Sequence, residues 1–156
     1  MKIAFLGHRV QDLGGFDGNQ LQDEIKQIIS DKIKESGVSA VLTSGSVGIE
    51  MWAADAAIDA KVPYHLYVPF ANPESKWPAS TKKKYKLIAN KASKTVVLDN
   101  GEYDAKKLAT KDLAILEEAD IIYSFYKDHP RIFEKFSKKI VDSFPNGGSD
   151  GYFIPF

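Results

Sequence analysis

A doubly wound α/β domain is the fold class this sequence predicts: a parallel sheet of about five strands with helices on both faces. Two observations predict it. Short apolar runs alternate along the chain with longer stretches of helical period. Those runs are nearly continuous rather than alternating apolar and polar, as expected of strands covered on both faces. A length of 156 residues, 44% hydrophobic and 27% charged, suits one domain of ordinary globular composition.

The elements follow in order. Lys2-Ile3-Ala4-Phe5-Leu6-Gly7 is the first strand, stopped by glycine, and a polar, Gly-rich stretch runs from His8 to Gly18. Leu21, Ile25, Ile28, Ile29 and Ile33 recur at helical spacing, and Gly37 ends that helix. Val38–Thr43 is a second strand, Ser44–Gly48 a turn, and Ile49–Ala60 an Ala-rich helix carrying Trp52. Tyr64–Val68 is a third strand, closed by Pro69 and a loop with Pro73, Trp77 and Pro78. A helix over Ser80–Ala92 presents Tyr85, Leu87 and Ile88, and Thr95–Leu98 is a fourth strand. Asp104–Glu118 reads as a helix with Leu108, Leu113, Ile115 and Leu116 partly on one face, followed by a fifth strand over Asp120–Phe125. Ile132, Phe133, Phe136 and Ile140 predict a last helix from about Pro130 to Val141, and an aromatic tail from residue 145 to Phe156 remains. The division is therefore a domain over residues 1–144 and a tail over 145–156, the tail being expected to pack between subunits of a homo-oligomer.

Composition excludes several functions. Lys plus Arg (21) equals Asp plus Glu (21), so no net field favours nucleic acid, which binds through phosphate neutralisation. Lys82-Lys83-Lys84 is a short basic run of the kind that lies on an exposed helix surface. Cysteine is absent and there are three histidines, so neither a disulfide framework nor a zinc site is expected, and no other metal or cofactor is called for. No basic segment followed by a long apolar stretch opens the sequence, and no run is long enough to span a bilayer. A cytoplasmic protein with no membrane partner is the expectation.

In doubly wound sheets, ligands bind beyond the carboxyl ends of the strands, and two turns should lie there. In Thr43-Ser44-Gly45-Ser46-Val47-Gly48-Ile49-Glu50, the glycines let backbone amides turn outward and Ser44 and Ser46 offer hydroxyls. The helix that starts here adds unpaired N–H groups and the positive end of its dipole, a natural phosphate site. A turn that caps itself through Ser46 explains the same residues equally well. Neither a G-x-G-x-x-G nor a Walker A pattern is present. In Gly7-His8-Arg9, Arg9 supplies a planar cationic fork and His8 could transfer a proton; a surface arginine and a histidine bonding backbone are the bland alternatives.

Glu50, in the first helical turn, could hold ribose hydroxyls, act as nucleophile or base at an anomeric carbon, or simply complement the helix dipole. Asp55 and Asp59 are expected to be solvated. Trp52 reads as core, whereas Trp77, in the loop after the third strand, is the better stacking candidate, with Phe70 and Lys76 nearby. Lys111 and Asp112 read by periodicity as a solvated helix face.

These pieces together resemble the SLOG superfamily, the Rossmann-like group that includes DprA/Smf proteins and the LOG phosphoribohydrolases, and within it the small stand-alone YspA/YpsA-like members. The resemblance is carried by Leu6-Gly7-His8-Arg9, by the Ser44–Ala54 turn and helix start, by Val68-Pro69-Phe70-Ala71-Asn72-Pro73-Glu74-Ser75-Lys76-Trp77-Pro78, and by Ala119-Asp120-Ile121-Ile122-Tyr123. It covers roughly residues 1 to 126. It implies binding of a nucleotide or nucleotide-derived ligand by Gly7, His8, Arg9, Ser44, Gly45, Ser46, Gly48 and Glu50, with Glu74 and Trp77 at the pocket rim. A sensor or regulatory module is the reading it favours. The enzymatic alternative, hydrolysis of a nucleotide N-glycosidic bond, would use Glu50 and His8; single-stranded DNA binding ranks last. Two departures stand out: Tyr126–Pro130 occupies the place of a G-G-T turn, and Lys111-Asp112 stands where Arg-Asn or Arg-Asp is usual. The LOG motif P-G-G-x-G-T-x-x-E is absent.

Overall fold

The structure, a computed structural model, describes residues 1–126 and 131–145. The tail beyond 145 and His129 lie outside the described residues. Six parallel strands form one sheet: β1 (Lys2–Gly7), β2 (Ala40–Thr43), β3 (Tyr64–Val68), β4 (Lys94–Val97), β5 (Ile121–Phe125) and β6 (Ile140–Asp142), in the order β4-β3-β2-β1-β5-β6. The chain moves outward one way from β1 to β4, then returns to place β5 on the other side of β1. That reversal makes the β1–β5 boundary the topological switch point, where Gly7 pairs with Phe125.

Residues two apart on a strand share a face, and this splits the core into two layers. Ile3 and Phe5 face one layer with Val41, Tyr64, Leu66, Tyr123 and Phe125, while Ala4 and Leu6 face the other with Leu42, Tyr67 and Ile122. The first layer is covered by α1 (Gln20–Ile33), α2 (Ile49–Ala60) and α3 (Ala79–Lys91). The second is covered by α4 (Ala105–Glu118) together with Phe133 and Phe136. Leu21, Ile25, Ile29 and Ile33 are buried along α1, as their spacing requires. Its N-cap, Asn19, accepts from the Gln22 amide at 2.9 Å. Ala53, Ala54 and Ala57 are fully buried on α2; their small side chains let this helix sit close to β1 and β2 while also packing on α1.

The structure adds a sixth strand to the about five expected, and the final helix expected over Pro130–Val141 needs correction. Arg131–Phe136 forms a 3-10 helix and the chain then enters β6, parallel to β5. The physical reason is local. Ser137 and Lys139 bond back three residues, to the Glu134 and Phe136 carbonyls at 3.1 and 2.8 Å. The β-branched pair Ile140-Val141 is better placed in a strand, where it pairs with Ile122 and Tyr123 on the otherwise open edge of β5. Phe133 and Phe136 still reach the core, which is what their spacing indicated. Among the described residues no helix is long and apolar enough to cross a membrane.

Candidate functional site

The carboxyl edge of the sheet carries a cleft of about 520 Å³ lined by Arg9, Ser46, Val47, Phe16, Phe70, Lys76, Trp77 and Tyr103, among others. Four loops meet there, each leaving the end of a strand: those after β1, β2, β3 and β4.

Gly7 ends β1 because nothing larger fits. A Cβ built on it would stand 2.3 Å from Ile49 Cδ1, 2.8 Å from Phe125 Cβ and 3.0 Å from the Phe125 carbonyl oxygen. Its bareness lets the start of α2 and the end of β5 close over β1. His8 follows, buried, its amide donating to Phe125 O at 3.4 Å and its ring edge-on to Tyr126 at 5.0 Å. It lies in the switch-point crevice rather than in the cleft wall. Arg9 turns outward, with 77% of its side chain exposed, and is held to the buried Asp12 carboxylate at 3.2 Å through Nε.

The turn after β2 is built in two parts. In the first, polar groups satisfy one another: Gly45 N donates to Thr43 Oγ1 (3.0 Å), whose hydroxyl donates to the Glu50 carbonyl (2.7 Å). The Ser44 and Ser46 hydroxyls lie 2.7 Å apart, and Ser46 N donates to Ser44 Oγ at 3.3 Å. Gly45 has φ +68° and Gly48 φ +103°, both in the left-handed region that glycine tolerates. In the second part, the amides of Val47, Gly48, Ile49 and Glu50 meet no acceptor among the described residues, the usual state of a helix N-terminus. Val47 borders both the main cleft and a smaller hollow of about 220 Å³, where Gly48 and Trp52 also lie. There the Lys26 ammonium sits 5.0 Å from the Trp52 ring centroid.

Glu50 points away from the cleft. Its Oε1 accepts the Ser44 amide at 3.0 Å and its Oε2 meets Lys111 Nζ at 2.8 Å; Lys111 also reaches Asp112 Oδ1 at 2.6 Å. The Glu50 and Lys111 side chains are only 12% and 6% exposed. Burial by itself would lower the Lys111 ammonium, but the two carboxylates beside it outweigh that and hold it well above its ordinary value. Burial, helped by Glu50 and opposed by Lys111, raises the Asp112 carboxyl. Burial, then Asp112 and Glu50, raise the Tyr126 phenol. The expectation that Lys111 and Asp112 form a solvated face is therefore corrected. Asp55 too is paired, with Lys84 at 3.2 Å.

Of the residues singled out from sequence, Arg9, Ser46 and Trp77 line the cleft. Gly7, His8, Ser44, Gly45, Gly48 and Glu50 form the frame behind it, and Glu74 is half-buried, its carbonyl accepting Trp77 N at 3.0 Å. Trp77 packs edge-on against Tyr85 at 5.3 Å, and Phe70 edge-on against Tyr103 at 5.3 Å. Sequence reasoning missed Phe16 and Tyr103, both exposed on the rim. The signal was available: each is an aromatic in a loop that follows a strand, the first between Gly15 and Gly18, the second just before the N-cap Asp104. Among the described residues no group of His, Asp and Glu could hold a metal ion.

The profile of the YspA SLOG family matches residues 3–146, spanning all of these turns. The chain belongs to the YspA SLOG family. Among relatives of known sequence, a UPF0398 protein of Oceanobacillus iheyensis is 30% identical over 131 residues, covering 77% of this chain and 71% of the relative. A UPF0398 protein of Bacillus cereus is 26% identical over 99% of this chain and 90% of its own length. Among solved structures, DNA processing protein A of Streptococcus pneumoniae superposes with a TM-score of 0.64 at 15% identity, over 97% of this chain and 54% of that one. The fold seen in that SLOG protein is thus the fold of this chain, a Rossmann-like parallel sheet with helices on both faces.

Proposed function

We propose that this SLOG protein binds a nucleotide or nucleotide-derived ligand in the cleft and works as a sensor or regulatory module. One observation carries the reading: the cleft joins an exposed guanidinium (Arg9) and the Ser46–Val47 turn that leads into α2 to a wall of Phe16, Phe70, Trp77 and Tyr103. A cationic fork and unpaired amides favour phosphate; aromatic faces favour a base; and the volume suits a small molecule. Glu50 is held by Ser44 and Lys111 and is not among the residues that line the cleft, so the geometry favours binding over glycosidic cleavage. Balanced charge gives single-stranded DNA no general attraction.

The test is calorimetric titration of the purified protein with AMP, ATP and ADP-ribose. At least one should bind, and Arg9→Ala should weaken it about tenfold or more, since a lost charge-assisted contact is worth roughly 1.5–3 kcal/mol. Trp77→Ala should weaken it about fivefold or more, since a lost base–aromatic stack is worth roughly 1–3 kcal/mol. Arg9→Ala takes the cation away from the buried Asp12 carboxylate, so thermal unfolding must first show the variant folded, and Arg9→Lys, which keeps the charge, separates a lost ligand contact from a lost fold. Binding unaffected by either substitution would remove the cleft from consideration. Release of free base from any probe would move the reading to the enzyme.

A further inference from the structure

We infer that Lys111 is a positioning residue that sets the ligand-facing turn from the opposite face of the sheet. α4, which carries Lys111, packs on the layer of Ala4, Leu6 and Ile122, whereas α2, which begins with Ile49-Glu50, packs on the layer of Ile3 and Phe5. The Lys111 side chain crosses the carboxyl ends of the strands between them and meets Glu50 Oε2 at 2.8 Å. The other oxygen of the same carboxylate holds the Ser44 amide at 3.0 Å. Glu50 is thus clamped at both ends, by an ammonium from below the sheet and by the first residue of the turn. Fixing its carboxylate fixes where β2 ends and where α2 starts.

Those two points define the turn whose outer amides, Val47 to Glu50, are left unpaired among the described residues, and whose Ser46 and Val47 line the cleft. Asp112, on the next position of α4, takes a second direction of the ammonium at 2.6 Å and prevents it from swinging away. A lysine required only for solubility would not be buried among two carboxylates at the switch point. The inference rests on the proposed ligand reading for its consequence in binding, but its geometric part stands without any ligand.

The experiment compares Lys111→Met, Lys111→Arg, Glu50→Gln and the double variant Lys111→Met/Glu50→Gln with the wild-type chain. It uses amide NMR spectra, thermal unfolding, and titration with AMP, ATP and ADP-ribose. In Lys111→Met the Ser44–Gly48 amide resonances should move, while those of α1 and β4, remote from the clamp, stay in place. Nucleotide affinity should fall at least tenfold, and Lys111→Arg should recover most of it. Lys111→Met leaves the Glu50 and Asp112 carboxylates without their counter-charge and could unfold; the double variant removes one of those two charges, so its midpoint should return part of the way toward wild type. Its affinity should nevertheless stay low, and its Ser44–Gly48 resonances should differ from those of Glu50→Gln alone. The inference is overturned if those resonances do not change when Lys111 is lost, or if affinity returns with stability in the double variant. If the wild-type chain binds none of the three probes, the ligand reading fails, and the NMR comparison alone decides whether Lys111 sets the turn.

Discussion

Replacing Gly7 by alanine adds one methyl group at the point where β1, β5 and α2 converge, and its effect can be worked from three distances. The new Cβ would lie 2.3 Å from Ile49 Cδ1, 2.8 Å from Phe125 Cβ and 3.0 Å from Phe125 O. The Ile49 contact involves the far end of a flexible side chain, and a rotamer change could relieve it. The two Phe125 contacts cannot be relieved that way, because they involve a Cβ and a backbone oxygen on the strand paired with Gly7. Relief requires β1 and β5 to separate by several tenths of an ångström in a core packed to crystal-like density. Overpacking of this kind costs about 1–3 kcal/mol, which for a chain of this size lowers the melting temperature by roughly 3–9 °C. Thermal unfolding followed by circular dichroism measures it. Ile49→Val/Gly7→Ala, which removes the Cδ1 contact, should recover only a minor part relative to Ile49→Val alone, because the strand clash persists. A Gly7→Ala melting point within one degree of wild type would show that the β1–β5 junction is loose. Gly7 would then not be what lets the start of α2 close over β1.

Two further outcomes follow from the helix caps and the buried phenols. Asn19→Ala should destabilise the chain by about 1–2 kcal/mol in urea unfolding, since the side chain accepts the Gln22 amide (2.9 Å) and donates to the Leu13 carbonyl (2.7 Å). Asn19→Asp, which keeps the acceptor, should cost less, and equal losses would refute the capping role. Burial pushes the Tyr64 and Tyr85 phenols up from 10.0 to about 12, and the Tyr64 hydroxyl donates to the Ile88 carbonyl. A folded-state value above the unfolded one means that this stability is whole below pH 10 and is lost as pH rises from 10 toward 12. Urea midpoints should therefore fall over that window, less steeply in Tyr64→Phe; a midpoint flat between pH 9 and 12 would contradict it.

How much of this was legible in the sequence depended on how far apart the interacting residues stand. β1 and β5 could be read because Ile3-Ala4-Phe5-Leu6 is a continuous apolar run and Ile121–Phe125 one broken only by Ser124, the mark of strands covered on both sides. β6 could not, because three residues with two exposed carry no such run, and Phe133 and Phe136 imitate helical spacing. Arg9 and Ser46 were legible as site residues since each follows a strand by two or three residues. Lys111 was not, because its partner Glu50 lies 61 residues away. Its one local trace was a lysine on the helix face that also holds Leu108 and Ile115, where the spacing calls for an apolar side chain.

The turn after β2 shows why a self-capping turn and a ligand-binding turn need not compete. Read as sequence, the hydroxyls of Ser44 and Ser46 could serve either the backbone or a phosphate. In the fold the two demands fall on different atoms. The Ser44, Gly45 and Ser46 amides are taken up by Glu50 Oε1, Thr43 Oγ1 and Ser44 Oγ, while those of Val47 to Glu50 are not taken up within the described residues. Local hydrogen bonds therefore leave the Val47–Glu50 amides unspent and hold them in place. A turn fixed before binding loses less conformational freedom on binding, so the affinity of such a site comes more from rigidity behind it than from the number of groups in front. The residues to mutate first are accordingly Glu50 and Lys111, which touch no part of the cleft, alongside Arg9, which does.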